Sequence, residues 1–153
     1  MRDREITVCD DSICRYSIDA GCFIGEIEWL DDCFCELFLI CSPYKPIDML
    51  LVKLGFETLY RERESLTEKA IEYACSRFIP YFRDVSGSTD DLMEEVLPKH
   101  LIPCSIEFGI NGAYAISFQS FYIGTVESNL IVNGQMGHGF LNLKDGCKLI
   151  PDV

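Results

Sequence analysis

The chain has 153 residues, 48% of them hydrophobic, with 25 acidic against 13 basic side chains and a formal net charge of −12. That length suits a single domain, residues 1–153, with a core of its own, and that apolar share excludes a disordered chain. The charge repels phosphate backbones and anionic lipid; nucleic-acid binding needs several Lys or Arg to displace counterions, so nucleic acid and membrane are set aside as partners.

The N-terminus, Met1-Arg2-Asp3-Arg4-Glu5, lacks the apolar stretch of a signal peptide. The longest apolar run, Leu37-Phe38-Leu39-Ile40-Cys41, is far short of the roughly 20 residues that span a bilayer. A soluble cytoplasmic protein is expected. Its nine cysteines then pack as small reduced hydrophobes, not as a disulfide framework.

Residues 5–9 and 13–17 read as two short strands joined through Asp10-Asp11-Ser12. Residues 23–30 alternate, with Ile27 and Trp29 on one side and Glu26 and Glu28 on the other; Asp31-Asp32 makes the turn. Residues 33–41 place Cys33, Cys35, Leu37, Leu39 and Cys41 on one face and Phe34, Glu36, Phe38 and Ile40 on the other. The period of two marks strands. Apolar residues on both faces of the second predict a central strand covered on both sides.

A helix follows, opened by Pro46 and carrying Ile47, Leu50, Leu51 and Leu54 at helical spacing, with Gly55 as its stop. A second helix starts near Ser65, which forms a capping box with Glu68; its apolar stripe is Leu66, Ala70, Ile71, Ala74, Cys75 and Phe78. Pro80 stops or kinks it. Residues 86–88 read as a loop, Ser88 or Thr89 as a cap, and residues 90–97 as a short acidic helix ended by Pro98.

Strands return over residues 104–109 and 113–119 around Asn111-Gly112, a strong hairpin signal. Residues 121–124 and 127–132 continue the pattern, Asn133-Gly134 turns, and residues 140–143 and 147–150 close a meander across Asp145-Gly146. The order predicts an α+β fold: a mostly antiparallel sheet from N-terminal hairpins and a C-terminal meander, with two or three helices in the middle packed on one face.

Chemistry-bearing residues are sparse. His138, flanked by Gly137 and Gly139, is the candidate for a base or ligand in a small enzyme or ligand site, and His100 reads as a surface residue at a helix exit. Cys33-Phe34-Cys35 lacks the second close pair of a structural zinc site, and no acidic run matches a calcium loop, so no metal or cofactor is expected. No nucleophile elbow, phosphate-binding loop or dinucleotide fingerprint is present. Phe118 and Phe121 read as core, with Tyr114 and Tyr122 as half-exposed candidates for an interface.

The acids cluster at Asp31 and Asp32, at Glu62, Glu64, Glu68 and Glu72, and at Asp90, Asp91, Glu94 and Glu95. They are the expected contacts for a basic protein partner, because an acidic surface steers a cationic one. The order of Gly25-Glu26-Ile27-Glu28-Trp29, Ala70-Ile71-Glu72-Tyr73-Ala74, residues 100–108, an Asn-Gly hairpin and Phe121-Tyr122 resembles a small uncharacterised acidic bacterial domain family of unknown function. That family is similar in size and charge to immunity proteins that neutralise delivered toxins. The family has no established active site to carry over, and its Gly-His dipeptide is Gly124-Thr125 here, so no histidine role transfers; small size, the −12 charge, the absence of a catalytic motif and the clustered acids point to a non-catalytic binding module, with toxin immunity as its most concrete version. A scaffold or oligomerisation domain is the remaining alternative.

Overall fold

A computed structural model of the protein describes residues 4–87 and 93–152. Four strands come first: β1 (Glu5–Val8), β2 (Ser12–Ser17), β3 (Cys22–Leu30) and β4 (Cys33–Ile40). Then come α1 (Pro46–Arg61), α2 (Arg63–Ser86) and α3 (Met93–His100). The chain returns to strands as β5 (Pro103–Gly109), β6 (Ala113–Phe118), β7 (Phe121–Ile123), β8 (Val126–Ser128), β9 (Leu130–Gln135), β10 (Gly139–Asp145) and β11 (Lys148–Ile150).

Among the described residues, nine strands make one sheet in the order β1-β2-β3-β4-β5-β6-β9-β10-β11, and β7 pairs with β8 apart from it. Every pairing is antiparallel except β4 with β5, which run parallel from Glu36↔Ser105 to Ile40↔Gly109. The protein is α+β, with a mostly antiparallel sheet and its helices on one face.

The core lies between that face and the helices. Trp29, Leu37, Leu39, Ile106, Phe108, Ile116, Phe118, Leu130, Val132 and Leu143 point into it from the sheet, and Val52, Phe56, Ala70, Ala74 and Phe78 meet them from the helices. A buried polar link joins the two layers. The Trp29 indole N–H donates to Thr67 Oγ1 at 2.8 Å, and the Thr67 hydroxyl donates to the Arg63 carbonyl at 2.7 Å. Burying an aromatic this large leaves its N–H in need of a partner, and Thr67 supplies it.

The structure corrects several sequence expectations. Helix α1 runs past Gly55, whose missing Cβ would lie 2.9 Å from the Phe108 ring; the glycine is a close-approach site and not a stop. Ile47, Leu50, Leu51 and Leu54 face solvent, while Val52, Phe56 and Leu59 face the core. Helix α2 begins before Ser65 because Glu62 alone separates it from α1, so Ser65 and Glu68 form no capping box. Pro80 lies inside α2, which continues to Ser86 and ends on left-handed Gly87; buried Phe78 and Ile79 hold the chain on the core around the proline. Pro98 sits within the last turn of α3. The expected cap at Ser88 or Thr89 falls outside the described residues.

Asn133 and Gly134 do not turn. They lie within β9, where the Tyr114 ring fills the space a side chain at 134 would need. The reversal falls at residues 136–138 instead. The Asn111-Gly112 hairpin is present, with Gly112 at φ +82° and a hydrogen bond from its amide to the Gly109 carbonyl. That is a three-residue loop with the glycine in the left-handed position. Strand β4 is central, yet only one of its faces is covered: Phe34, Glu36 and Ile40 are exposed.

Thr67→Val keeps the shape of the side chain and removes the acceptor for the Trp29 N–H. The expected loss is about 1–3 kcal/mol of unfolding free energy, measured by chemical denaturation, because the indole N–H is left buried without a partner.

Candidate functional site

The acids singled out from sequence sit in three places. Asp31 and Asp32 form the β3–β4 turn, Asp32 at φ 59°, with its amide donating to the Glu28 carboxylate at 3.3 Å. Glu62 lies between α1 and α2, and Glu64, Glu68 and Glu72 follow at four-residue steps along the exposed side of α2. Residues four apart are neighbours on a helix surface, and like charges there are mildly destabilising. Glu94 and Glu95 occupy the first turn of α3, where Glu94 lies 3.4 Å from the Arg83 guanidinium. Asp90 and Asp91 fall outside the described residues. Among the described residues, Asp31, Asp32, Glu62, Glu64, Glu68, Glu72 and Glu95 form no ion pair.

A second acidic surface was not assembled from sequence. On the open side of the sheet, β3, β4 and β5 present Glu26, Glu28, Glu36 and Glu107, all exposed. Glu26 stands directly across from Glu36, and Phe38 lies between Ile24 and Glu107. Phe34, beside Glu28, is 59% exposed. Like charges directly opposite on a sheet are destabilising. Glu26, Glu36 and Glu107 form no ion pair among the described residues; Arg15 on this face is held by Glu5 at 3.1 Å. Beside Phe38 the small residues Gly109, Ala113 and Ala115 leave a trough of about 290 Å³, walled by Ile40, Glu107 and Asn133. The alternation of Glu26 and Glu28 with Ile27 and Trp29 was the available signal. It shows that the acids face away from the core, but not that the β5 acid stands two strands away.

Helix α1 supplies a third feature. Ile47, Leu50, Leu51 and Leu54 form a stripe opposite its buried side and are 61%, 47%, 49% and 51% exposed. On its core side, the Glu57 carboxylate accepts from the Cys9 amide at 2.8 Å and from Lys53 at 3.1 Å. Burial alone would raise the Glu57 carboxyl, but those two hydrogen bonds outweigh it and hold it below its ordinary value. They fix the β1–β2 turn, where Cys9 and Asp10 adopt positive φ.

The catalytic candidates are not brought together. His138 is exposed in the β9–β10 turn, and its side chain makes no hydrogen bond or ion pair among the described residues; the cavity beside the turn is lined by Gln135, Met136, Gly137 and Gly139 but not by the histidine. His100 ends α3 at a small apolar groove of about 230 Å³ with Phe121 and Tyr122, below the usual range of a small-molecule site. Phe118 and Phe121 are core, Tyr114 is buried and Tyr122 is 67% exposed.

Burial raises the thiols of Cys9, Cys14, Cys41 and Cys75 to about 11, and Cys35 also rises by burial, beside Cys33. Cys33 donates to the Pro103 carbonyl at 3.4 Å. No three His, Cys, Asp or Glu side chains are grouped to hold a metal among the described residues, and no helix there is long and apolar enough to cross a membrane. No protein-family model, curated protein or solved structure matches the chain.

Thiolate is the reactive form of cysteine, so native-state labelling with an aromatic disulfide at pH 8 is expected to modify exposed Cys147 first. Cys147→Ser removes that fast phase. Labelling of the buried thiols accelerates only as pH rises toward 11 or the chain unfolds.

Proposed function

We propose that this protein is a non-catalytic module that binds a basic protein, with neutralisation of a basic toxin as its most concrete form. The observation that carries the reading is the set of exposed carboxylates on α2 and in the β3–β4 turn that have no counter-ion among the described residues. Within one chain such acids repel one another; facing a cationic partner, they attract it over a Debye length and raise its on-rate. Nucleases that hold anionic substrates are commonly basic, and rows of carboxylates imitate phosphates in charge. A soluble protein of the cytoplasm suits that role. The site near His138 gains no support from its exposed position on a turn.

Capture of a partner from the native host, followed by stopped-flow kinetics with the captured protein, tests the reading. The expected partner is basic, and its association slows as salt rises. Glu64→Lys, Glu68→Lys, Glu72→Lys and Glu95→Lys together should reduce the rate about tenfold or more and flatten its salt dependence. An association rate indifferent to both salt and these reversals would overturn it.

The α1 stripe favours a second reading, self-association through that helix. Two acids (Asp48, Glu57) balance two bases (Lys53, Arg61) on α1, so its charge is zero in a chain of −12. Two copies repel least there, and a stripe at i, i+3, i+4 and i+7 packs against its own two-fold mate. Light scattering should show a dimer at about 100 μM that Leu51→Glu/Leu54→Glu converts to monomer without lowering Tm, since surface substitutions stay within about 0.5 kcal/mol. A monomeric wild type at that concentration excludes it.

A further inference from the structure

We propose that the open face of the sheet over β3, β4 and β5 is the surface that holds the partner, and that it receives arginine side chains; this rests on the reading of the protein as a binder of basic proteins. Four features meet on that face. It is an unpartnered sheet face with exposed Phe34 and Ile40. It carries Glu26, Glu36 and Glu107, which have no ion-pair partner among the described residues. It sets Glu26 against Glu36, an arrangement that weakens the free sheet and is relieved by a cation between them. And it borders, at Ile40 and Glu107, the trough that runs on to β6 and β9.

The trough has the chemistry of an arginine site. Ile40, Ala113 and Ala115 offer apolar surface for the aliphatic stem. Glu107 offers a carboxylate for the guanidinium fork. Asn133, which also lines the trough, donates its side-chain N–H to Asn142 at 2.9 Å, so its amide oxygen is not used in that bond. Phe38, next to Glu107 on the neighbouring strand, supplies ring surface at the trough's edge on which a guanidinium stacks better than a lysine ammonium. At about 290 Å³ the trough suits one side chain and not a whole small molecule. Among the described residues, the cations on this face are Arg15, already bound to Glu5, and Lys144 on β10, which β6 and β9 separate from β5.

A nine-residue arginine peptide and its lysine counterpart, titrated into the isotope-labelled full-length protein in about 0.1 M salt, test this directly. The expected result is arginine peptide bound at least fivefold more tightly than lysine peptide. Amide shifts should concentrate at Glu26, Glu36, Phe38, Glu107 and Ala115. Glu107→Gln and Glu36→Gln/Phe38→Ala should each weaken the arginine peptide about tenfold and erase the preference over lysine. Folding is checked separately: Glu36→Gln alone should leave Tm unchanged or raise it by about 1–3 °C, because a like-charge pair is removed. Equal affinity for the two peptides, or shifts confined to Glu64, Glu68 and Glu72 on α2, overturns the assignment of the face while leaving the protein a binder of basic partners. Failure of both peptides to bind removes the assignment and that broader reading together.

Discussion

The parallel pairing of β4 with β5 is the constraint on which the rest of the structure depends. On one side of it lies an antiparallel ladder from β1 to β4, and on the other the ladder from β5 through β6 and β9 to β11. Antiparallel neighbours are joined by tight turns, but parallel neighbours need a long crossover. Residues 41–102 are that crossover, and they contain α1, α2 and α3. A single crossover returns over one face of the sheet, so the helices share one side and one core. Trp29, near the middle of that core, ties the two layers by its bond to Thr67. The other side of the sheet is left bare for the same topological reason.

The bare side explains residues that have no place in a two-layer core. Phe34, Phe38 and Ile40 alternate with Leu37 and Leu39, and a strand covered on one side needs only the second set to be apolar. The parallel register then brings Glu107 beside Phe38, a neighbour that no hairpin would have supplied. Acids and aromatics thus come together on a rigid ladder, beside a trough left by the small residues Gly109, Ala113 and Ala115.

Local periodicity made much of the fold legible. The alternation of residues 23–30 and 33–41, the Pro46 helix start, the α2 stripe through Ala70, Ala74 and Phe78 and the Asn111-Gly112 hairpin all appear where their patterns place them. What stayed hidden is set by contacts distant in sequence. Nothing in residues 46–61 states which of two apolar stripes meets the sheet; Phe56 wins because Trp29 and Phe108 stand at 6.3 and 6.0 Å from its ring, and both are distant in the chain. Gly134 reads as a turn residue until Tyr114 is placed across from it. Pro80 reads as a stop until Phe78 is seen packed on Phe121. The acids on α2 and in the Asp31-Asp32 turn were readable as exposed, but the grouping of Glu26, Glu36 and Glu107 needed the strand order.

The two sets of acids differ in what electrostatics lets them do. Glu64, Glu68 and Glu72 stand on long side chains in high dielectric, where a pair interaction is weak and screened within about 8–10 Å. Their summed field acts before contact, on the encounter rate. Glu36 and Glu107 rise from a backbone fixed by ladder bonds on both sides, next to apolar surface that a partner would cover. A charge pair formed there loses water, and its strength then depends on geometry more than on salt. A strand-mounted carboxylate is therefore suited to set how long a complex lasts, and a helix-mounted one how fast it forms. Removing the crossover's one-sidedness would merge the two roles, since a second helical layer would cover Glu107 and leave only the field.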